Sequence, residues 1–373
     1  MHVYYLPLEP YQERYTLQLK DWTESAFKRN NVQWTTIEPF DTDAGEGSLI
    51  RNIGPLDYWR RCKWSLKQID ALITILQTAD VKETDCIYFQ DMFHPGIEAL
   101  FYIFAQRPVK PKIFVQNCAQ SMDIYDFVYP MIDWMRDYEK MCDGFVTGTF
   151  VASTIHEELM RVSEFKGPIH VTGLPFDREE VVNRLRSYGI EPKAWGEKSN
   201  KVVFTSRFDA EKQPHWFMDI VLECKSSSDP ILSNLEFCIL SGGTFRSSDE
   251  SAVERARAYH EQGILTIKEK LSKEEYYREL NDAKVQINTA LQDFVSNTLN
   301  EASAFKTKSL LPAFRSFPES CNNSRHMMYL PWSKHDCISK LREQINSPYH
   351  PDFNYPSEYN SKTLDRVIEV MRG

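Results

Sequence analysis

The feature that most constrains this chain is a rhythm. Short apolar, β-branched and aromatic runs alternate with amphipathic stretches; the pattern stops near residue 174 and starts again near residue 201. Such alternation specifies parallel strands joined by crossover helices. In the first half HVYYL (2–6), VQWTTIE (32–38), DCIYFQ (85–90), KIFVQ (112–116), GFVTG (144–148) and PIHVT (168–172) are predicted strands. Helices are expected over 15–30, 56–78, 96–106, 129–141 and 153–163. In the second half the strands are KVVFT (201–205), LEFCIL (235–240), ILTI (264–267) and VQINT (285–289). Their helices are expected over 215–224, 251–262, 272–282 and 297–305. The fold class is therefore α/β with two Rossmann-like domains facing a central cleft. The expected bounds are 1–173, a linker over 174–200 carrying a helix at 178–188, a second domain over 201–340, and a tail over 341–373 whose helix packs back on the first domain.

Composition narrows the function. At 373 residues the chain suits two domains of roughly 150–200 residues. Apolar residues make up 42% and aromatics 13%, enough for packed cores and unlike a disordered chain. Met1–Pro10 has no basic leader followed by an apolar run, so no signal peptide is expected. No apolar stretch approaches the roughly 18 residues a membrane span needs. Eight cysteines (Cys62, Cys86, Cys118, Cys142, Cys224, Cys238, Cys321, Cys337) are scattered without a CxxC pair or zinc-ligand spacing. They read as reduced structural thiols in a cytoplasmic protein, in a host cytoplasm if the gene is viral. Net charge is −9, and residues 1–173 hold 17 Lys+Arg against 24 Asp+Glu, the remainder 27 against 29. A polyanionic partner would need a local basic strip. Arg60-Arg61-Cys62-Lys63-Trp64, flanked by Arg51 and Lys67, is the candidate strip; a solvated helix face with Trp64 turned inward is the other reading.

Two motifs carry chemistry. After the first strand of the second half comes Phe204-Thr-Ser-Arg207-Phe-Asp-Ala-Glu-Lys212-Gln-Pro214. A turn there aims two cations at the C-terminal edge of a parallel sheet, where open α/β folds bind ligands. Arg207 offers a planar fork for phosphate oxygens and Lys212 a point charge; ordinary surface cations are the alternative. The second motif, Asp293-Phe-Val-Ser-Asn-Thr-Leu-Asn-Glu301, is an acid, seven residues, and Glu at a helix start. Val295–Thr298 would present amides, including those of Ser296, Asn297 and Thr298, at a helix N-terminus that favours an anion. Either carboxylate alone could simply cap a helix.

With these spacings the chain resembles retaining glycosyltransferases of the GT-B fold, in the group that uses an acid–seven–acid motif. The resemblance implies that Arg207 and Lys212 neutralise the donor diphosphate, that Asp293 contacts hydroxyls of the transferred sugar, and that Glu301 holds the donor ribose. It implies a glycine turn at Ser241-Gly242-Gly243 and backbone recognition of the base along Thr266–Leu271, around Ile267. Asp177 in LPFD matches the family's interdomain turn. Two departures stand out. Phe294-Val295-Ser296 replaces the usual glycine between the acids, and KIFVQNCAQ has no histidine where many members place one beside the reacting sugar. Asn117, Gln120, Ser121 and Asp123 stand in that neighbourhood; His94, in Gln90-Asp91-Met-Phe-His94, is the expected catalytic substitute.

The resemblance implies transfer with retention, with Arg207, Lys212, Asp293 and His94 catalytic, no metal and no cofactor beyond a UDP-sugar donor. Arg14 and Tyr15, in a first turn of bulky polar residues, and Asp91, Asn117 and Gln120 are the expected acceptor contacts. The chain also resembles T-even-type phage glycosyltransferases that act on 5-hydroxymethylcytosine in DNA, which implies a double-stranded DNA partner and arabinose or glucose as the sugar. A carbohydrate acceptor, a nucleotide-sugar-binding protein without catalysis, and a phosphorylase are the other readings. The absence of a basic amphipathic helix argues against a membrane acceptor.

Overall fold

Two six-stranded sheets organise the chain, and every strand pairing within them is parallel. The structure is a computed structural model that describes residues 1–9, 15–39, 58–126, 128–247, 249–291 and 293–373. The chain divides into one unit of Met1–Pro175 with Thr363–Gly373 and a second of Phe176–Lys362.

The first unit runs β1 (His2–Leu6), α1 (Tyr15–Arg29), β2 (Gln33–Thr36), α2 (Tyr58–Thr78), β3 (Cys86–Phe89), α3 (Ile97–Ala105), β4 (Lys112–Gln116), α4 (Ile132–Asp143), β5 (Gly148–Val151), α5 (Thr154–Val162) and β6 (Ile169–Val171). Its strand order is β2-β1-β3-β4-β5-β6. The central strands are apolar on both faces because helices cover both sides of a parallel sheet. Leu6, Phe89 and Val115 pack against Ile69, Leu72 and Leu76 of α2 and Leu100 and Phe104 of α3. Gly96 caps α3 at φ 95°, and a Cβ there would meet Ile69 Cγ1 at 3.1 Å. That left-handed, crowded position requires glycine.

One strand lies further along than its sequence suggests. Expected over 144–148, β5 instead starts at Gly148, which pairs with Phe114. Phe145 N–H and Val146 N–H both donate to Cys142 O, so the GFV run finishes the turn after α4 before the strand begins.

The second unit runs α6 (Arg178–Ser187), β7 (Ser199–Phe204), α7 (Pro214–Lys225), α8 (Pro230–Ser233), β8 (Glu236–Leu240), α9 (Glu250–Glu261), β9 (Thr266–Lys268), α10 (Lys273–Asp282), β10 (Ala283–Ile287), α11 (Asn297–Ala304), β11 (Lys308–Pro312), α12 (Phe317–Ser320), β12 (Met328–Tyr329), α13 (Lys334–Asn346) and α14 (Tyr355–Asn360). The strand order is β12-β11-β10-β7-β8-β9. Val202, Phe204, Ile239, Val285, Ile287 and Leu310 line its core with Phe217 and Val221 of α7. The stretch expected as a linker is folded into this unit. Asp177 caps α6 by accepting from Glu180 N–H, and the Asn281 carboxamide bonds Lys193 N–H at 3.0 Å and Glu191 O at 2.9 Å. The last helix, α15 (Thr363–Arg372), belongs to the first unit. There Asn30 donates to Asp365 at 2.7 Å, and Thr363 Oγ1 donates to Thr172 O at 2.9 Å. Among the described residues no helix is long and apolar enough to cross a membrane.

Both strand orders reverse direction once. In the first sheet the reversal lies between β1 and β3, in the second between β7 and β10. Loops leaving the C-terminal ends of the strands on either side of such a switch point diverge and leave a crevice.

Candidate functional site

In the second unit the loops after β7 and β10 carry both sequence motifs to the switch point. A 3₁₀ turn over Ala210–Lys212 is followed by Gln213 at φ 51°, and Pro214 then opens α7. Leu291 N–H donates to Glu211 O at 2.7 Å, and Thr289 Oγ1 to Lys212 O at 2.5 Å. These bonds tie the two loops together, so the side chains of one are held in fixed relation to those of the other.

Lys212 is only 5% exposed. Its Nζ donates to Asp293 Oδ1 at 3.0 Å, while Asn288 Nδ2 lies 3.4 Å from the other carboxylate oxygen. Ser316 Oγ donates to Asp293 O and anchors its backbone. Arg207 is half-exposed and forked between Asp209 and Glu211, each at 2.7 Å. Arg207 is therefore paired with carboxylates of its own loop, and Lys212 with a carboxylate of the loop after β10. An anion binding here would exchange for those partners, and Arg207, the more exposed, is the easier to exchange.

Ser296 caps α11, and Asn297 and Thr298 form its first turn. The N-terminal amides of a helix lack intrahelical acceptors and favour an anion. A polar chain supports the turn from below: Gln286 Nε2 donates to Thr205 Oγ1 at 2.6 Å and to Thr298 Oγ1 at 2.8 Å, and Ser296 Oγ lies 3.0 Å from Thr298 Oγ1. One turn further, buried Glu301 accepts from Lys273 Nζ at 2.7 Å, Tyr276 Oη at 2.9 Å and Tyr277 Oη at 3.2 Å. Burial, with the Glu301 carboxylate next, holds the Tyr276 hydroxyl protonated and donating. These three partners escaped the sequence reading. Their signal is local: Lys273, Tyr276 and Tyr277 stand at i, i+3 and i+4 and share one face of α10.

Gly242 and Gly243 follow β8 with exposed backbone. Leu271 N–H donates to Ser241 O at 3.1 Å and Lys270 N–H to Gly243 O at 2.8 Å, which joins this turn to the segment after β9. In the second unit Arg207 and Lys212 follow β7, Gly242 and Gly243 follow β8, Ile267 lies in β9, and Ser296, Asn297, Thr298 and Glu301 lie at the cap and in the first turns of α11, after β10.

The first unit holds a different arrangement at its own switch point. Arg61, expected in a basic strip, is buried; it donates to Glu9 Oε2 at 2.9 Å and Asp91 Oδ2 at 2.8 Å. Burial opposes its charge, but Asp91 and Glu9 outweigh that and raise its pKa. Arg61 and Asp91 are therefore spent on each other. His94, expected beside the reacting sugar, is 3% exposed, with Nε2 2.9 Å from Gln68 Oε1. Burial, then Arg61, pushes its pKa down to about 3. A buried neutral imidazole bonded to Gln68, whose amide donates to Pro7 O and Ile37 O, orders the turn after β1; it does not reach into solvent. Asn117 and Gln120 are also buried. Asn117 Oδ1 accepts from Ala119 N–H at 3.2 Å, and Gln120 Nε2 donates to both oxygens of buried Glu139 at 3.2 and 3.1 Å. They shape the loop after β4. Tyr15 begins α1; Arg14 and Arg51 lie outside the described residues.

No family model matches the chain, and no curated protein matches it in sequence. Solved structures do match over its full length. Sucrose-phosphate synthase from Thermosynechococcus elongatus aligns with TM-score 0.64 at 12% identity, covering 100% of this chain and 96% of that one. An E. coli trehalose-6-phosphate structure bound with UDP-2-fluoro glucose aligns with TM-score 0.65 at 9% identity, covering 100% and 99%. A UDP-forming α,α-trehalose-phosphate synthase from Burkholderia xenovorans in complex with glucose-6-phosphate aligns with TM-score 0.61 at 13% identity, covering 95% and 85%. The chain has the GT-B fold. At these identities the likeness speaks for the architecture, and the chemistry rests on the residues described above.

Proposed function

We propose that the chain is a retaining glycosyltransferase that moves a sugar, arabinose or glucose, from a UDP-sugar to an acceptor hydroxyl, the acceptor being 5-hydroxymethylcytosine in DNA. One observation carries the donor half: Arg207, Lys212, Asp293, the N-terminus of α11 and Glu301 all converge at the switch point of the second sheet.

In the reaction the bond from the anomeric carbon to the diphosphate oxygen breaks, and negative charge grows on the leaving phosphate. Arg207 and Lys212, once the donor displaces their carboxylate partners, and the first amides of α11 stabilise it. Asp293 moves from Lys212 to the sugar hydroxyls as the phosphate takes the ammonium. Glu301 has lone pairs left after its three donors and accepts from the ribose diol. The acceptor hydroxyl bonds to the anomeric carbon on the face the diphosphate leaves, and its proton passes to the departing phosphate. No imidazole is needed for that transfer, which suits the burial of His94.

The acceptor half is supported by α2. This helix exposes Trp59, Lys63 and Lys67 together, with Trp59 77% exposed, the pairing of stacking surface and cations that nucleic acids use. A sugar-phosphate acceptor is the second reading, favoured by the glucose-6-phosphate complex of the Burkholderia neighbour. A panel of UDP-sugars offered with hydroxymethylcytosine-containing DNA and, separately, with hexose phosphates decides between them by product mass. A glycosylated nucleoside supports the proposal; a disaccharide phosphate with unmodified DNA replaces it with the second reading.

A further inference from the structure

A cluster unrelated to the donor residues lies elsewhere in the second unit. His326, in the turn before β12, faces His350 and Asp352, which open the 3₁₀ turn Pro351–Asn354 ahead of α14. The two imidazole centroids are 4.3 Å apart. His350 Nδ1 and Asp352 Oδ1 are 3.2 Å apart, and one ligand atom from each of the three residues falls within 4.8 Å of the others. Both histidines are exposed and Asp352 is half-buried.

The supporting contacts distinguish this trio from a chance surface grouping. Ser324 Oγ donates to Asp352 Oδ2 at 2.6 Å, which orients the carboxylate and leaves Oδ1 turned to the imidazoles. The carbonyl of His326 accepts from Gln344 Nε2 at 2.8 Å, and Gln344 is buried in α13, so the His326 backbone is pinned. His350 caps the turn with Nδ1 accepting from Asp352 N–H at 3.3 Å, a bond that a metal ion on Nδ1 displaces. Asp352 thus has a second contact of the kind that orients a metal ligand, and the His326 backbone is held in place beside it.

We propose that His326, His350 and Asp352 bind a structural Zn²⁺ ion. Two imidazole nitrogens and one carboxylate oxygen form a borderline-soft set that suits zinc over calcium or magnesium, which prefer all-oxygen shells. Tetrahedral bonds of roughly 2.0–2.2 Å place ligand atoms about 3.4 Å apart. The His350–Asp352 pair already has that spacing, and exposed His326 closes on it by side-chain rotation. Water fills the fourth position. The ion ties the turn before β12 to the segment leading into α14, two stretches otherwise joined there through Ser324 and Asp352. None of the donor residues contributes a ligand, so this clip acts on stability and stands or falls independently of the proposed reaction.

The test uses the full chain stripped with chelator, then titrated with ZnCl₂ by calorimetry and with CoCl₂ by visible absorption. The expected result is one ion per chain, a tetrahedral cobalt spectrum and a raised melting temperature. The variants H326A and H350A should each bind roughly a hundredfold more weakly, and S324A roughly tenfold. His326 and His350 are exposed and Ser324 is buried, and the melting temperature of each metal-free variant establishes that it is folded. Absence of binding by the wild-type chain, or binding that survives in H326A and H350A, overturns the proposal.

Discussion

Lys212 Nζ donates to Asp293 Oδ1 at 3.0 Å from a site where the lysine is only 5% exposed. The phosphate-binding cation and the sugar-binding carboxylate of the proposed reaction are thus one ion pair before the donor arrives. Each group is aimed by the other, and in the proposed reaction the donor separates them by giving each a better partner. Replacing Lys212 with Ala should lower kcat/KM by about 10²–10³. It should also cost some stability, because Asp293 loses its cation. Asp293→Asn should lower kcat more than it weakens UDP, since its proposed partner is the transferred sugar. Steady-state kinetics with UDP calorimetry separate the two.

Arg207 is held by Asp209 and Glu211 at 2.7 Å each, so bound diphosphate competes with carboxylates of the same loop. The double variant D209N/E211Q frees the guanidinium and should tighten UDP binding about threefold, the scale of an exposed ion pair. Arg207→Ala should weaken it instead. Unchanged UDP affinity in D209N/E211Q would mean that the pairing does not hold Arg207 back.

Much of this was legible in the sequence, and the reasons differ by element. KVVFT centres on a β-branched and aromatic run and VQINT alternates apolar with polar residues, so the switch-point loops that carry Arg207, Lys212 and Asp293 could be placed directly. The strand β11 was not read, because it begins with Lys308. That lysine is buried, with its ammonium donating to Gln344 O at 2.6 Å and Ser347 O at 2.8 Å, partners supplied by a helix more than thirty residues away. Arg61 misled for the same reason. As sequence it extends a basic strip with Arg60 and Lys63; in the fold Glu9 and Asp91 claim it from separate loops. The His326–His350–Asp352 cluster joins positions 24 residues apart with no fixed ligand spacing, so no local pattern announces it.

The Arg61 triad has its own consequence. Removing the guanidinium with Arg61→Ala leaves two carboxylates with little solvent and no cation, and should cost about 3–5 kcal/mol. The triple variant R61M/E9Q/D91N removes all three charges together and should recover most of that loss. Urea unfolding of the two variants beside wild type reads the difference.

Acid stability follows from two buried histidines. Burial first, and for His94 then Arg61, pushes His94 and His156 each down to about 3 from an ordinary value of 6.5. The unfolded chain therefore takes up protons at these sites where the folded chain does not. Stability is complete above about pH 6.5 and falls as pH drops through the window toward 3. Between pH 6.5 and 5, ahead of most carboxylates, the urea midpoint of wild type should fall with pH. The H94Q/H156Q variant should start lower and show a flatter slope. Equal slopes would mean that neither histidine is the titrating group.

The most direct measurement of the central claim is UDP release from UDP-glucose and UDP-arabinose, followed by mass spectrometry with wild type, R207A and K212A in parallel, with hydroxymethylcytosine-containing DNA present. Wild type should release UDP as sugar appears on the DNA, and both folded variants should be slower by about a hundredfold or more. Wild-type rates in both variants would contradict the assignment of Arg207 and Lys212 to the donor diphosphate.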